Sequence, residues 1–438
     1  MPGQVHTSLR YAIIGAGPSG LAAAKNLRAH GIQVQVFEQQ ADLGGVWNYR
    51  LPGGRVYAST HMISSKRCTQ FPDFPMPQGW PPFPHHAQVL EYLKAYAEHF
   101  QLRPLIRFRT AVTRLEPAPG GDGWLVRLDD GSLGRFDGVV IANGHHRRPL
   151  WPEIPGTFTG VAFHSAYYKT PACFEGKRVL VVGGGNSGCD IAVEAAACAR
   201  AVFHSTRRGY YYLPKFLFGI PIDRAGEWLH QLRLPLWARR HITRLLLWVA
   251  VGRLERYGLP RPDHKLFQSH PIINSQLLYA IGHGQVRPKP DVTHFEGPWV
   301  HFADGSRERV DVVVYATGYR LWFPFIDPEH LNIRDGRPWL WHHVFVPQWD
   351  NLFVAGMIQP DSGLFPLVHW QTQAIAWFVR RAAEGHPVAQ RLRQWKKHVG
   401  PQYARGDFLP SQRHWIEVEH YGYGRTLQRL VRRLARGQ

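Results

Sequence analysis

The chain has 438 residues, 52 Lys and Arg against 32 Asp and Glu for a formal net charge of +20, and 44% hydrophobic residues. This length gives room for two or three domains with ample cores, and the hydrophobic share excludes a disordered chain. Four scattered cysteines without CxxC spacing exclude a disulfide framework, no run of eighteen apolar residues offers a membrane span, and no nucleic-acid-binding module accompanies the basic charge.

The first predicted element is a strand in YAII, starting at Tyr11, with no room before it for a secretory leader, so a cytoplasmic protein is expected. It runs into GAGPSG, with Gly15, Gly17 and Gly20, and then into the alanine-rich helix LAAAKNLRAHG. Strand, glycine turn and helix in this order bring a helix N-terminus onto a pyrophosphate. The next strand, IQVQVF, ends in Glu38, eighteen residues past Gly20, where a carboxylate accepts hydrogen bonds from a ribose diol. FAD or NAD fits there. The segment from about 51 to 84 is rich in Pro, Gly and aromatics and reads as an ordered loop region over the site. A helix in HAQVLEYLKAYAEHF follows, then strands in AVTRLEP, GWLVRL and RFDGVVIANG, with DG turns between them.

A second unit of the same kind begins with RVLVV, GGGNSG (Gly183, Gly185, Gly188) and the helix CDIAVEAAACA. Its second strand, AVFHS, leads to Thr206, Arg207 and Arg208 with no acid. Guanidinium groups bind a ribose phosphate as bidentate donors, so NADPH is the nucleotide expected here. The run RVDVVVYATGY (309–319) repeats the acid, apolar and small-residue pattern of RFDGVVIANG, and both read as strands returning to their nucleotide units. The fold class is therefore α/β, with two Rossmann-like dinucleotide-binding domains and the second inserted in the first. The expected division is 1–165, 166–325 with a helical insert at about 217–265, and 326–438 ending in a basic helical tail.

Basic residues concentrate at 238–258 and 424–438. In the tail, Leu427, Leu430, Val431 and Leu434 form an apolar stripe bordered by arginine. Such a helix docks on its own protein or on a sister subunit, which would make a homodimer; peripheral contact with an anionic membrane is the alternative. The pairs His85 with His86 and His342 with His343 lack convergent Cys or carboxylate spacing, so no metal is expected.

Several segments together resemble the flavin-containing monooxygenases, class B flavoproteins that oxygenate soft nucleophiles. FTGVAFHSAYY, with Phe158, Gly160, His164 and Tyr168, matches the family fingerprint FxGxxxHxxx(Y/F). NGHHRRPLWPEIPG, EQQADLGGVW, FPDFPMP, STRRG, ATGY and GLFPLVHWQ are similar to family segments in the same order. The related Baeyer-Villiger enzymes usually carry Trp or Pro where Tyr168 stands.

The resemblance implies roles residue by residue. Gly15, Gly17, Pro18, Ser19 and Gly20 would cradle the FAD pyrophosphate, Glu38 its ribose, and Val46 with Trp47 the neighbouring flavin surface, while Gln371 would lie near the flavin. Ser187, Gly188, Cys189 and Asp190 would contact NADP, and Thr206, Arg207 and Arg208 would surround its ribose phosphate. Phe158, Gly160, His164 and Tyr168 would orient the domains. NADPH would reduce FAD, and reduced flavin with oxygen would form a 4a-hydroperoxide that oxygenates an amine or sulfide.

One departure bears on the chemistry. Family members of the better-known type carry an active-site Asn three residues before a lysine, whereas HMISSK places Ile63 there. Ile63 donates no hydrogen bond, so Ser64, His61 or ordered water must substitute. Two alternatives follow: an NADPH oxidase releasing hydrogen peroxide, and a Baeyer-Villiger monooxygenase acting on ketones, which Tyr168 argues against.

Overall fold

In the computed structural model, which describes residues 9–398 and 407–437, each glycine-rich loop leaves the central strand of a five-stranded sheet. The expected absence of a leader before Tyr11 concerns residues 1–8, and like residues 399–406 and the last residue of the tail these lie outside the described residues.

In chain order the first unit contributes β1 (Arg10–Ile14), α1 (Pro18–Ala29), β2 (Gln33–Phe37), β3 (Ile106–Arg107) and β4 (Gly138–Ile141). The second supplies β5 (Val161–His164), β6 (Arg178–Val182), α2 (Asn186–Ala196), β7 (Ala201–Ser205), α3 (Ile222–Gln231), α4 (Leu236–Ala250), β8 (Val286–Lys289) and β9 (Val312–Tyr315). The chain then returns with β10 (Leu352–Val354), α5 (Phe365–Ala383) and α6 (His420–Arg436). The sheet orders are β10-β4-β1-β2-β3 and β5-β9-β6-β7-β8, every pairing parallel. Because β10 pairs with β4, the second sheet is an insertion within the first unit, as the repeated motif predicts. Its edge strand β5 starts at Val161, ahead of the boundary expected at 166.

Local sequence explains the layers. RVLVV and VVVY are almost wholly buried, as strands covered by helices on both faces must be. On the first unit α1 packs against α5, where Asn26 Nδ2 donates to Thr372 Oγ1 at 2.7 Å inside the core.

The insert is helical, in α3 and α4. On α4, Trp237, Leu245, Trp248 and Val249 are exposed. The tail behaves differently. Leu427, Leu430, Val431 and Leu434 of α6 are buried, and Arg381 of α5 donates to the carbonyls of Leu434 (3.0 Å) and Ala435 (2.6 Å) in the last turn. The apolar stripe is covered by the protein itself, the self-docking that the sequence offers as one alternative for the tail. No helix among the described residues is long and apolar enough to cross a membrane.

Candidate functional site

The two glycine loops repeat one construction. Gly15 has φ +104° and Gly183 φ +123°, and a Cβ on either would meet the carbonyl oxygen of Ala142 (2.6 Å) or Ala316 (2.3 Å). A Cβ on Gly20 or Gly188 would press into the carbonyl of Gly15 or Gly183 (1.8 and 1.9 Å), so helix and loop touch only because both lack side chains. The middle glycines are less crowded: a Cβ on Gly17 or Gly185 would meet its nearest atom at ordinary contact distance, 3.7 and 4.0 Å. These two residues are also the N-caps of α1 and α2, and neither helix start is closed by a side chain. Each construction fits a dinucleotide pyrophosphate lying over a helix N-terminus.

Around the first loop, Glu38 is buried, with Oε2 accepting from Ala16 N at 2.7 Å and Oε1 from Gln40 N at 2.9 Å. Those bonds fix the carboxylate beside the loop and leave lone pairs for a ribose. Pro18 and Ser19 open α1, and Val46 and Trp47 lie in a short helical turn, Gly45–Trp47, with Gly45 against Gly17. Gln371 is fully buried and already satisfied: Oε1 accepts from Gly356 N and Nε2 donates to the Tyr423 hydroxyl, both at 2.8 Å. Gly356 backs directly onto the Ser19 hydroxyl, so Gln371 reaches the loop through that backbone.

Around the second loop the two arginines separate. Arg208 holds Asp263 through Nε (3.1 Å) and Nη2 (2.8 Å), whereas Arg207 is exposed and has no ion pair among the described residues. Arg207 is thus available to a phosphate. Thr206 is buried, its N–H donating to the Lys289 carbonyl. Sequence reasoning missed Arg413. It approaches Gly185 from the C-terminal segment, donates to the Tyr210 hydroxyl at 3.0 Å and lies 5.2 Å over that ring. A guanidinium so placed adds positive charge to the helix N-terminus.

Between the loops, Asp190 of α2 is half-buried, with Oδ2 accepting from the Tyr57 hydroxyl and Oδ1 from Asn274 Nδ2, both at 2.6 Å. Desolvation raises its pKa above the ordinary carboxylate value, against the pull of those donors. Ser187 and Gly188 lie in the first turn of α2, and the Cys189 thiol is buried. Tyr168 stacks on Phe174 and donates to Glu194, also on α2. His164 is buried at the end of β5, accepts from Ala166 N at 3.0 Å, and is lowered by burial to about 4. Phe158 packs on Phe295, and a Cβ on Gly160 would strike the Asp311 carbonyl. The fingerprint residues therefore make structural contacts around α2 and β9.

Ile63 packs against Leu213, Leu247, Leu266 and Ile273, an apolar cluster to which the helical insert contributes Leu247. An amide would lose that contact, which gives Ile63 a physical reason. Ser64 and Ile63 border a cavity of about 160 Å³. His61 is exposed, its Nδ1 2.8 Å from the Ser59 carbonyl. Among the described residues, no three His, Cys, Asp or Glu side chains are grouped to hold a metal ion.

Comparison with known proteins agrees with this construction. The model of the family described as flavin-binding monooxygenase-like matches residues 8–394. Flavin-containing monooxygenase 5 of Rattus norvegicus is 34% identical over 440 residues, covering 94% of this chain and 80% of its own. Dimethylaniline monooxygenase (N-oxide-forming) 2 of Oryctolagus cuniculus is 34% identical over 389 residues, covering 83% and 72%. The S-allyl-L-cysteine S-oxygenase structure from Allium sativum superposes with a TM-score of 0.67 at 21% identity, covering 98% and 93%. The NADP⁺-bound cyclohexanone monooxygenase from Rhodococcus sp. Phi1 gives 0.71 at 20%, covering 98% of both chains. At such identities these two structures share the fold.

Proposed function

The chain belongs to the flavin-binding monooxygenase-like family and is a flavin-dependent monooxygenase with FAD and NADPH as cofactors; on that premise we propose that it transfers one oxygen atom to the nitrogen or sulfur of a small soft nucleophile. When bound, FAD takes hydride from NADPH and, with molecular oxygen, supplies one atom to the substrate while the other leaves as water.

The protein's part is placement. In this reading Gly15, Gly17, Pro18, Ser19 and Gly20 hold the FAD pyrophosphate, Glu38 its ribose, and Val46 and Trp47 the neighbouring surface, with Gln371 supporting the Gly356 backbone. Ser187, Gly188, Cys189 and Asp190 form the NADP helix start, Arg207 binds the ribose phosphate beside Thr206, Arg413 adds to the pyrophosphate site, and Arg208 braces its loop through Asp263. The proposed division gives residues 9–160 and 326–437 to FAD and the segment between them to NADP. The observation that carries the proposal is that two dinucleotide cradles of one construction are joined by the Tyr57–Asp190 bond. Ile63 packs among apolar side chains that include Leu247 of the insert, and exclusion of water by such side chains favours oxygen transfer over loss of peroxide.

Contact with a membrane surface or a second subunit is assigned to α4, whose tryptophans are exposed, and sedimentation with and without anionic vesicles tests it. Oxygen transfer is tested with ¹⁸O₂, NADPH and either dimethylaniline or methyl phenyl sulfide. One labelled atom in an N-oxide or sulfoxide is expected; unlabelled substrate with hydrogen peroxide matching NADPH consumption assigns the oxidase instead.

A further inference from the structure

The cavity beside Ile63 and Ser64 has about the volume that holds one benzene ring. Its walls are mostly aliphatic, from the insert and from Leu213 and Ile273, yet four carboxylates also line it, those of Asp223, Asp361, Asp407 and Glu419, against one guanidinium, Arg239. That balance opposes the chain as a whole, whose formal charge is +20. An apolar wall with excess negative charge favours a cation carrying an apolar body over a neutral sulfide or ketone.

The four acids are not equivalent. Asp407 is ion-paired with Arg240 at 2.9 Å, and Glu419 with His230 at 2.8 Å. Arg239 stands beside that His230. Asp223 accepts from the backbone N–H groups of Ser65 (2.6 Å) and Arg224 (2.9 Å). Asp361 has no ion pair among the described residues: Oδ1 accepts from His420 N at 2.8 Å, and Oδ2 has no hydrogen-bond partner there. The neighbouring Ser362 hydroxyl, on the same wall, is buried and without a partner. The groups that face Asp361 are Glu417 and Glu419 with His420 from the start of α6, and His270 from the loop after the insert. Burial and Glu419, followed by Glu417, raise Asp361 to about 7, against the His420 N–H and His270.

We propose that this cavity admits a lipophilic amine as its ammonium ion and that Asp361 takes the ammonium proton. The N–H bond breaks, an O–H bond forms on Asp361 Oδ2, and the electron pair stays on nitrogen as the lone pair that oxygen transfer needs. No electrons are exchanged with a third party. The inference rests on the oxygenase reading above and adds to it the residue that selects and discharges the substrate.

The test compares N,N-dimethylbenzylamine with benzyl methyl sulfide, matched in shape and differing in charge, on the FAD-loaded protein. Asp361→Asn is expected to lower kcat/KM for the amine at neutral pH by about tenfold or more and to flatten its pH profile, with the sulfide changing less than about twofold. Asp361→Glu should restore part of the amine activity. Calorimetry with benzyltrimethylammonium, which has no proton to give and no lone pair, should show about fivefold or greater weakening in Asp361→Asn. Equal losses for amine and sulfide, or unchanged cation binding, overturn the proposal. Oxygenation of neither compound by the wild-type protein sinks the oxygenase reading, and the calorimetry then decides the cation site by itself.

Discussion

The Tyr57 hydroxyl donates to Asp190 Oδ2 at 2.6 Å, tying the loop over the first cradle to the helix of the second. Loss of this donor leaves the half-buried Asp190 carboxylate under-satisfied. Tyr57→Phe is expected to cost about 1–3 kcal/mol in a denaturant titration and to weaken NADP⁺ binding while the bound-flavin spectrum persists. An unchanged midpoint would mean that the bond does not join the units.

Arg207 and Arg208 differ in what already holds them. Arg207→Ala should lower kcat/KM for NADPH by about 10- to 100-fold and leave NADH nearly unchanged, the mark of a lost phosphate contact. Arg208→Ala should do less, since its guanidinium is engaged by Asp263. Equal effects from both would show that Asp263 releases Arg208 when the nucleotide binds.

Arg413 lies beside the second glycine loop, near Gly185. Arg413→Ala should weaken NADPH and NADH alike, by about tenfold, because both carry the pyrophosphate proposed to lie at Gly185. Fluorescence titration with each nucleotide separates this pattern from that of Arg207.

These contrasts show what was legible in the sequence. The strand-turn-helix units were readable because each glycine's requirement is local, set by a carbonyl five residues away, as for Gly20, or by a strand the motif repeats. The insertion of one unit in the other followed from two similar return strands. The separation of Arg207 from Arg208 was not readable, because Asp263 lies 55 residues further on, and nothing local marks Arg413, which acts across 203 residues from Tyr210. The tail's apolar stripe announced an amphipathic helix, yet its partner, α5, was set by packing alone. Ile63 read as a missing amide, and only the cluster with the insert shows what it does instead.

That docking makes Leu434 a core residue. Leu434→Ala should destabilise the protein by about 2–5 kcal/mol in equilibrium unfolding. A change near zero would reopen a peripheral role for the tail.

Stability should fall on mild acidification. Burial lowers His145, His164, His414 and His420 from 6.5 to about 4. The unfolded chain therefore binds more protons than the folded one between those values, and stability is full above about 6.5 and is lost as pH falls towards 4. Thermal midpoints measured from pH 7.5 to 4.5 should decline across that window; a flat profile would show these histidines to be solvated.

The central claim is oxygen transfer with Ile63 in place of an amide. Its most direct measurement is stopped-flow reoxidation of the NADPH-reduced protein, followed to product. The account predicts that NADP⁺ slows the return of the oxidised flavin spectrum, that an amine or sulfide accelerates it, and that oxygenated product matches NADPH consumed. Immediate reoxidation unaffected by either, with hydrogen peroxide matching NADPH, would contradict it.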